Sequence, residues 1–295
     1  MNHATSRAGS GAAGSQVTGL RLPDFLVIGA MRSGTTSLAN FLDRQPQTAI
    51  AHGKELHYFD RHYDRGVAWY AQHFEKMTKP VVGEATPMYL YRADVPARIA
   101  GDLPDVKLIA ILRDPVQRAQ SHYWHRAARD IEHLPLVDAL RAEAARMADP
   151  ATTHPGHVAY VDRSRYGEQL QRYREVFPPD RLRVLILEEV DRDPVGELTS
   201  LLGWLAPSSP GHEVTPTMWP QQDNRHLRFR SQRLRTLVRR TPGALGRVLG
   251  AINAVREPYP APSSAAAAVI CSHLRDDRRV LEDVLGRPVD VWSPL

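Results

Sequence analysis

Short apolar runs alternate with stretches of helical periodicity from about residue 25 to residue 205. Phe25–Ala30 has the pattern of a short buried strand and precedes a predicted helix from about Thr35 to Asp43. Val81–Glu84 precedes a helix near Val95–Ala100. Lys107–Leu112 runs into a helix opened by Pro115, a residue suited to a first helical turn. Tyr166–Phe177 is helical in spacing, and Leu182–Leu187 is a strand followed by a helix starting around Pro194. Buried strands alternating with helices imply an α/β fold, a parallel sheet flanked by crossover helices. Ligands of such sheets sit at the carboxyl ends of the strands, where Gly29, Glu84, Arg113 and Glu188 fall.

The rest of the chain reads differently. Pro150–Arg165 is rich in Thr, His, Pro and Gly, and predicts a loop over the site. Residues 205–224 form a proline-rich linker with little periodicity. Beyond it Leu234, Leu237 and Val238, then Leu245, Val248, Leu249 and Ile252, recur at helical spacing and predict amphipathic helices. The expected organisation is a disordered tail over residues 1–20, an α/β core over 21–204, the linker over 205–224, and a basic helical C-terminal extension of the same domain over 225–295.

Composition narrows this picture only in places. At 295 residues, 42% of them hydrophobic and 24% charged, the chain has the make-up of an ordinary globular protein. A single cysteine, Cys271, excludes an intramolecular disulfide. Residues 1–20 lack the apolar centre of a signal peptide, and no stretch approaches the roughly 20 apolar residues of a membrane span, so a cytoplasmic protein is expected. The net charge of +5 is uneven, with nine arginines and no acidic residue between Asp223 and Glu257. Such a block is a solvated helix face, the lining of an anionic ligand site, or a nucleic-acid surface. Arg225, just past the linker, is the member expected to fold back over the donor or acceptor entrance.

The chemistry concentrates at strand ends. Gly29–Thr36 fits G-x-x-x-x-G-[KT]-[ST] except that Thr35 stands where a nucleotide triphosphatase carries lysine. Glycines before a helix start still make a nest of N–H groups for a phosphate, Thr35 and Thr36 can cap and donate, and Arg32 adds a fixed charge. The ammonium that reaches the distal phosphates of a Mg-nucleotide is missing, which points away from ATP and toward a phosphosulfate donor. Lys54–Asp60 reads Lys-Glu-Leu-His-Tyr-Phe-Asp. On an extended stretch Glu55 and His57 would share a face and offer a general base with a charged or donor partner. Leu108–Leu112 ends in Arg113-Asp114-Pro115, with Ser121 two helical turns on. A strand of this kind in a triphosphatase ends in a magnesium-binding acid, whereas here the first residue past it is basic and suited to phosphate. No histidine or cysteine spacing matches a zinc site.

These segments together resemble the sulfotransferase family, in the branch that includes the heparan sulfate N- and O-sulfotransferases and many bacterial relatives. The resemblance spans about Phe25 to Leu202, through GAMRSGTTSL at Gly29–Leu38, KELHYFD at Lys54–Asp60, VGEATPMYL at Val82–Leu90, LRDPVQRAQSHY at Leu112–Tyr123, and the closing pattern from Arg165 to Pro194. It implies a P-loop-like α/β fold and 3′-phosphoadenosine 5′-phosphosulfate as donor, with no metal. Carried over by motif, Arg32, Ser33, Gly34, Thr35, Thr36 and Ser37 would hold the 5′-phosphosulfate, and Arg113 and Ser121 the 3′-phosphate. Glu55 would be the catalytic base, with His57 and Asp60 in support, and Arg32 would act at the leaving group. The chain departs from the family at Arg32, where many members carry lysine, and at Ala85, where heparan-type members have a lysine after the glutamate. The second departure implies that the acceptor, or its placement near the sulfate, differs from heparan sulfate; a carbohydrate, a glycolipid and a small hydroxylated metabolite all stay open as acceptors. From the residues alone, a P-loop nucleotide kinase and a non-catalytic anion- or nucleic-acid-binding protein stay open, as does Glu84 as the base.

Overall fold

The apolar run Phe25–Gly29 is buried at all five positions and lies at the centre of a parallel sheet. A computed structural model of the chain describes residues 19–51, 55–152, 155–209, 214–219, 225–229, 254–258, 260–261 and 263–292, with 225–229 and 254–258 as backbone. The elements run β1 (Phe25–Gly29), α1 (Thr35–Arg44), β2 (Thr48–Ile50), α2 (Tyr58–Arg61), α3 (Gly66–Ala71), β3 (Val81–Ala85), α4 (Val95–Asp102), β4 (Lys107–Leu112) and α5 (Pro115–Ala127). They continue through α6 (Leu136–Arg141), α7 (Glu143–Ala148), α8 (Tyr166–Arg174), β5 (Leu182–Ile186), α9 (Leu187–Arg192), α10 (Pro194–Leu205), β6 (Arg225–Phe229), β7 (Ala254–Pro258) and α11 (Ser264–Leu285).

The large sheet has the order β2-β3-β1-β4-β5 with every neighbouring pair parallel. Strands buried on both faces must be apolar throughout, and alternate residues divide them between two layers. Leu26, Ile28, Leu108, Ala110 and Leu112 enter one core with Tyr58, Phe59, Tyr70, Ile99, Leu170 and Tyr173. Phe25, Val27, Ile109 and Ile111 enter the opposite core with Leu38, Phe41, Leu42, Leu198, Leu201 and Leu202. From β1 the chain turns toward β3 and β2, and from β4 toward β5. The crevice between the ends of β1 and β4 is thus the switch point where a ligand is expected.

Residues far along the chain brace this crevice. Helix α11 packs on α8, and the Asp277 carboxylate accepts from the Gly167 and Glu168 amides (3.0 and 2.9 Å), satisfying the first turn of α8 from another element. Trp292 Nε1 donates to Glu188 (2.8 Å), whose other oxygen accepts from the Asp114 amide (2.9 Å).

The parallel α/β architecture agrees with the sequence reading. Strand β2 was not expected: at three residues it is too short to carry a pattern, and it forms the sheet edge. Residues 225–229 and 254–258, read as part of a helical extension, pair as antiparallel strands, while 264–285 is helical. The residues 1–18 and the segment of helical spacing from Leu234 to Ile252 lie outside the described residues. Among the described residues no helix is long and apolar enough to cross a membrane.

Candidate active site

Gly34 closes the turn after β1 at φ 90°, a left-handed conformation that a residue with a Cβ adopts only under strain. With Arg32 also left-handed (φ 71°), the backbone curls into a concavity at the N-terminus of α1. Gly34 itself is the N-cap, so Thr35 and Thr36 occupy the first helical positions rather than capping, as the sequence had suggested. Arg32, Gly34, Thr35, Thr36 and Ser37 all line one cavity of about 560 Å³. Ser33 does not, because it is wholly buried and its amide donates to Ala30 O (3.2 Å).

Arg113 and Ser121 line the same cavity. Asp114 caps α5 by accepting from the Gln117 amide (2.9 Å), with Pro115 at the first turn, and this fixes Arg113 at the end of β4. Its Nη2 donates to Gln117 Oε1 (3.0 Å), and its carbonyl accepts from Tyr166 (3.0 Å). Ser121 was expected beside Arg113; the structure also joins it to the loop after β1, since Arg32 Nε donates to Ser121 Oγ (3.0 Å).

Glu55 and His57 line the same cavity and meet there, Oε2 to Nε2 at 3.5 Å. They do so by a different backbone than the extended one predicted. Both are left-handed (φ 69° and 53°), with Leu56 between them turned into the core. His57 then caps α2, and Asp60, one turn later, holds its Nδ1 at 3.0 Å. Burial lowers the affinity of His57 for a proton, but hydrogen bonds to Asp60 and Glu55 outweigh it and hold the pKa at about 9. The imidazole is therefore a cation at neutral pH.

The turn rests on a buried polar anchor and an aromatic cluster. Glu84, 1% exposed, accepts from Tyr70 (2.9 Å), Tyr89 (2.7 Å) and Thr86 (2.7 Å), and from the Leu56 amide. Thr86 Oγ1 in turn lies 3.4 Å from the His57 amide, and Tyr58 stacks on Tyr70 at 4.4 Å. Glu84 does not line the cavity. Lys54 lies outside the described residues. Arg225 opens β6, whose backbone approaches α5, and its side chain also lies outside the description.

Sequence reasoning missed a basic face. Among the described lining residues Arg32, Arg61, Arg113, Arg126, Arg129 and Arg163 face a single carboxylate, Glu55, so the cavity favours anions. His125 lies between two of the arginines, its Nδ1 3.4 Å from Arg32 Nη1 and 2.6 Å from Arg129 Nη1. Burial, then Arg32, Arg129 and Arg126, push its pKa down to about 3, which keeps it a neutral acceptor. Ser121, His125 and Arg129 are four residues apart in turn, the helical spacing that could have found this face. The loop predicted over the site does reach it, through Gly156, His157 and Arg163. Among the described residues no group of three or more His, Cys, Asp or Glu is placed to hold a metal ion.

Residues 22–215 match the sulfotransferase domain family. The chain is 45% identical over 108 residues to the membrane-associated sulfotransferase kil1 of Dictyostelium discoideum, covering 35% of this chain and 23% of that one. It is 34% identical over 180 residues to heparan sulfate glucosamine 3-O-sulfotransferase 6 of Mus musculus, covering 60% and 50%. The chain thus spans half or less of the length of these relatives. The crystal structure of a sulfotransferase from Alicyclobacillus acidocaldarius shares the fold, with a TM-score of 0.68 at 22% identity over 92% of this chain and 99% of that one.

Proposed function

The chain belongs to the sulfotransferase domain family, and on that premise we propose that it moves a sulfuryl group from 3′-phosphoadenosine 5′-phosphosulfate to a hydroxyl, or as a second choice an amine. The acceptor class is a carbohydrate, a glycolipid or a small hydroxylated metabolite, and the glycan-directed relative in mouse supports the first of these. Family membership removes the nucleotide-kinase alternative. The observation that carries the reading is that one cavity is lined both by Arg32 and Gly34–Ser37 with Arg113 and Ser121 and by the Glu55–His57 pair.

The donor-side residues fit a phosphosulfate. The concavity before α1 offers amides to one phosphate, and Arg113 suits a second. The bound donor supplies the sulfur electrophile and its phosphate leaving group. Glu55 accepts the acceptor's proton as the oxygen attacks, while Asp60 and His57 orient the carboxylate. Arg32, the loop amides and the threonine hydroxyls stabilise charge on the leaving phosphate. Arg32 does this by charge alone, since guanidinium does not deprotonate in this range.

Calorimetric titration is the test. 3′-Phosphoadenosine 5′-phosphate should bind without magnesium and at least about tenfold tighter than 5′-AMP, because each charge-assisted contact to the 3′-phosphate contributes roughly 1.5–3 kcal/mol. Equal affinity, or a strict magnesium requirement, would sink the donor assignment. In the same assay Arg113→Ala should weaken binding about 10- to 100-fold, and Ser121→Ala by less, since it removes a neutral group. A lowered melting temperature with unchanged nucleotide affinity in Arg113→Ala would make Arg113 a structural residue.

A further inference from the structure

The loop that follows α5 is turned inside out. Its carboxylate, Glu132, is 6% exposed, whereas the apolar residues one before and two after it, Ile131 and Leu134, are 42% and 39% exposed. Among the described residues only one other large apolar side chain, Val176 beyond α8, is exposed to this degree. A single exposed apolar residue needs no explanation, but two in one loop, displayed around a buried acid, reverse the usual division between inside and outside.

The reversal is held by bonds at both ends. Glu132 accepts from the His133 and Leu134 amides (2.9 and 3.0 Å), from Arg146 Nη1 of α7 (2.7 Å) and from the Tyr160 hydroxyl (2.7 Å), so the carboxylate is pinned to the body of the protein. Withdrawing it would break a buried, paired charge, which is costly. Tyr123 also donates to the Leu134 carbonyl (2.9 Å). Upstream, α5 ends in a Schellman motif: Asp130 is left-handed (φ 62°), its amide donates to Ala127 O (3.0 Å), and the Ile131 amide donates to Arg126 O (3.1 Å). The residue in the place of Ile131 commonly packs back on the helix in such a motif, against the position that Arg126 occupies here. That apolar partner is replaced by a cation, and Ile131 stays exposed.

The charge around the display selects its partner. Arg126 and the exposed Arg129 stand at the end of α5, and the one exposed carboxylate of the loop, Asp130, lies 3.9 Å from His133 Nδ1. Two apolar side chains fall far short of the roughly 800 Å² per partner that a stable protein interface buries. Beside cations they suit an anionic lipid surface, where binding grows with the apolar area inserted and with each cation near the headgroups. We propose that the loop 128–135 is a contact for an anionic lipid bilayer, with Ile131 and Leu134 entering among the headgroups and Arg129 meeting their phosphates. Arg129 also lines the cavity, so on the sulfotransferase reading, and resting on it, the contact selects the glycolipid among the proposed acceptors.

The test is cosedimentation of the full chain, without nucleotide, with vesicles of phosphatidylcholine and phosphatidylglycerol in equal parts and with vesicles of phosphatidylcholine alone. The parent should partition onto the mixed vesicles about tenfold or more better than onto the neutral ones. Ile131→Ser combined with Leu134→Ser keeps every charge and should lower partitioning onto the mixed vesicles about tenfold, with the parent's melting temperature and affinity for 3′-phosphoadenosine 5′-phosphate. Leu134→Trp should strengthen partitioning, since an indole favours the headgroup level. Val176→Ser should leave it at the parent value. A parent that does not bind the mixed vesicles overturns the contact. So does binding that the double variant retains in full, which would be charge attraction through another surface. Self-association of the parent without lipid, abolished in the double variant, would make the loop an interface between copies and overturn it as well. No donor enters the vesicle assay, so its failure is distinct from a failure of the sulfotransferase reading, which the nucleotide titration decides.

Discussion

Glu55→Gln is expected to fold, to bind 3′-phosphoadenosine 5′-phosphate as the parent does, and to lose on the order of 10²-fold or more in turnover, the usual size of a general-base contribution. The amide keeps the shape of the side chain and its contact with His57 but cannot take a proton. His57→Ala should fall between the parent and Glu55→Gln, because water can replace part of an orienting cation. The pH dependence follows from His57 as well. Its folded pKa of about 9 lies above its unfolded value of 6.5, so what the imidazolium contributes to the turn is complete below about pH 6.5 and is lost as pH rises through about 9. Turnover of the parent should fall on that alkaline limb, and the limb should be absent from His57→Ala. Single-turnover rates across pH measure both. Near-parental speed in Glu55→Gln would remove the base from this turn.

The second large effect is expected at Glu84, and it is one of stability. Glu84→Ala removes the shared acceptor of Tyr70, Tyr89 and Thr86 from a site without water access. Stranding buried hydroxyls costs about 1–3 kcal/mol each, so a loss of about 3 kcal/mol or more is expected, lowering the Tm by roughly 6–12 °C. Glu84→Gln keeps one acceptor oxygen and the volume, and should cost less. Because Glu84 is buried behind the turn rather than on the cavity, Glu84→Gln should also retain turnover within about tenfold of the parent. Thermal unfolding and single-turnover rates of the two variants decide the matter. A Glu84→Gln protein that melts like the parent yet is inactive would transfer the base to β3.

Both predictions turn on a distinction that the residues alone leave open. Glu55 and Glu84 each stand near a strand end in a plausible motif, and either could be the base on paper. What separates them is Tyr70, which reaches Glu84 from α3 across 14 residues and converts it into an anchor. No local pattern encodes that contact. The sheet was legible for the opposite reason, since β1 and, past Lys107, β4 are apolar runs whose burial on both faces leaves its mark at successive positions. Strand β2 has three residues and one polar side chain, too little for any periodicity. The turn before α1 was legible because glycine at a left-handed position and a helix start are local events. The Glu55–His57 turn was legible in its residues but not in its backbone, because two left-handed non-glycine residues are the reverse of what propensity predicts. Arg163 was placed in the right loop, but its burial against Tyr91 and Gly156 depends on three segments meeting.

The anchoring of α8 by Asp277 bears on how the protein comes into being. The amides it satisfies precede it by 110 and 109 residues, and the indole that steadies Glu188 follows it by 104. A chain leaving the ribosome therefore releases all five strands of the large sheet, and the whole turn between β1 and α1, well before it releases the group that closes the first turn of α8. That helix begins with the Tyr166 whose hydroxyl holds the Arg113 carbonyl, so the geometry at the carboxyl end of β4 is completed by residues made long after the sheet itself. Contacts this distant in sequence form late and slow the search for the native state. In the interval Leu170 and Tyr173 lack Leu281, which belongs to the same buried cluster, and apolar surface exposed in this way is what makes incompletely folded chains prone to aggregate.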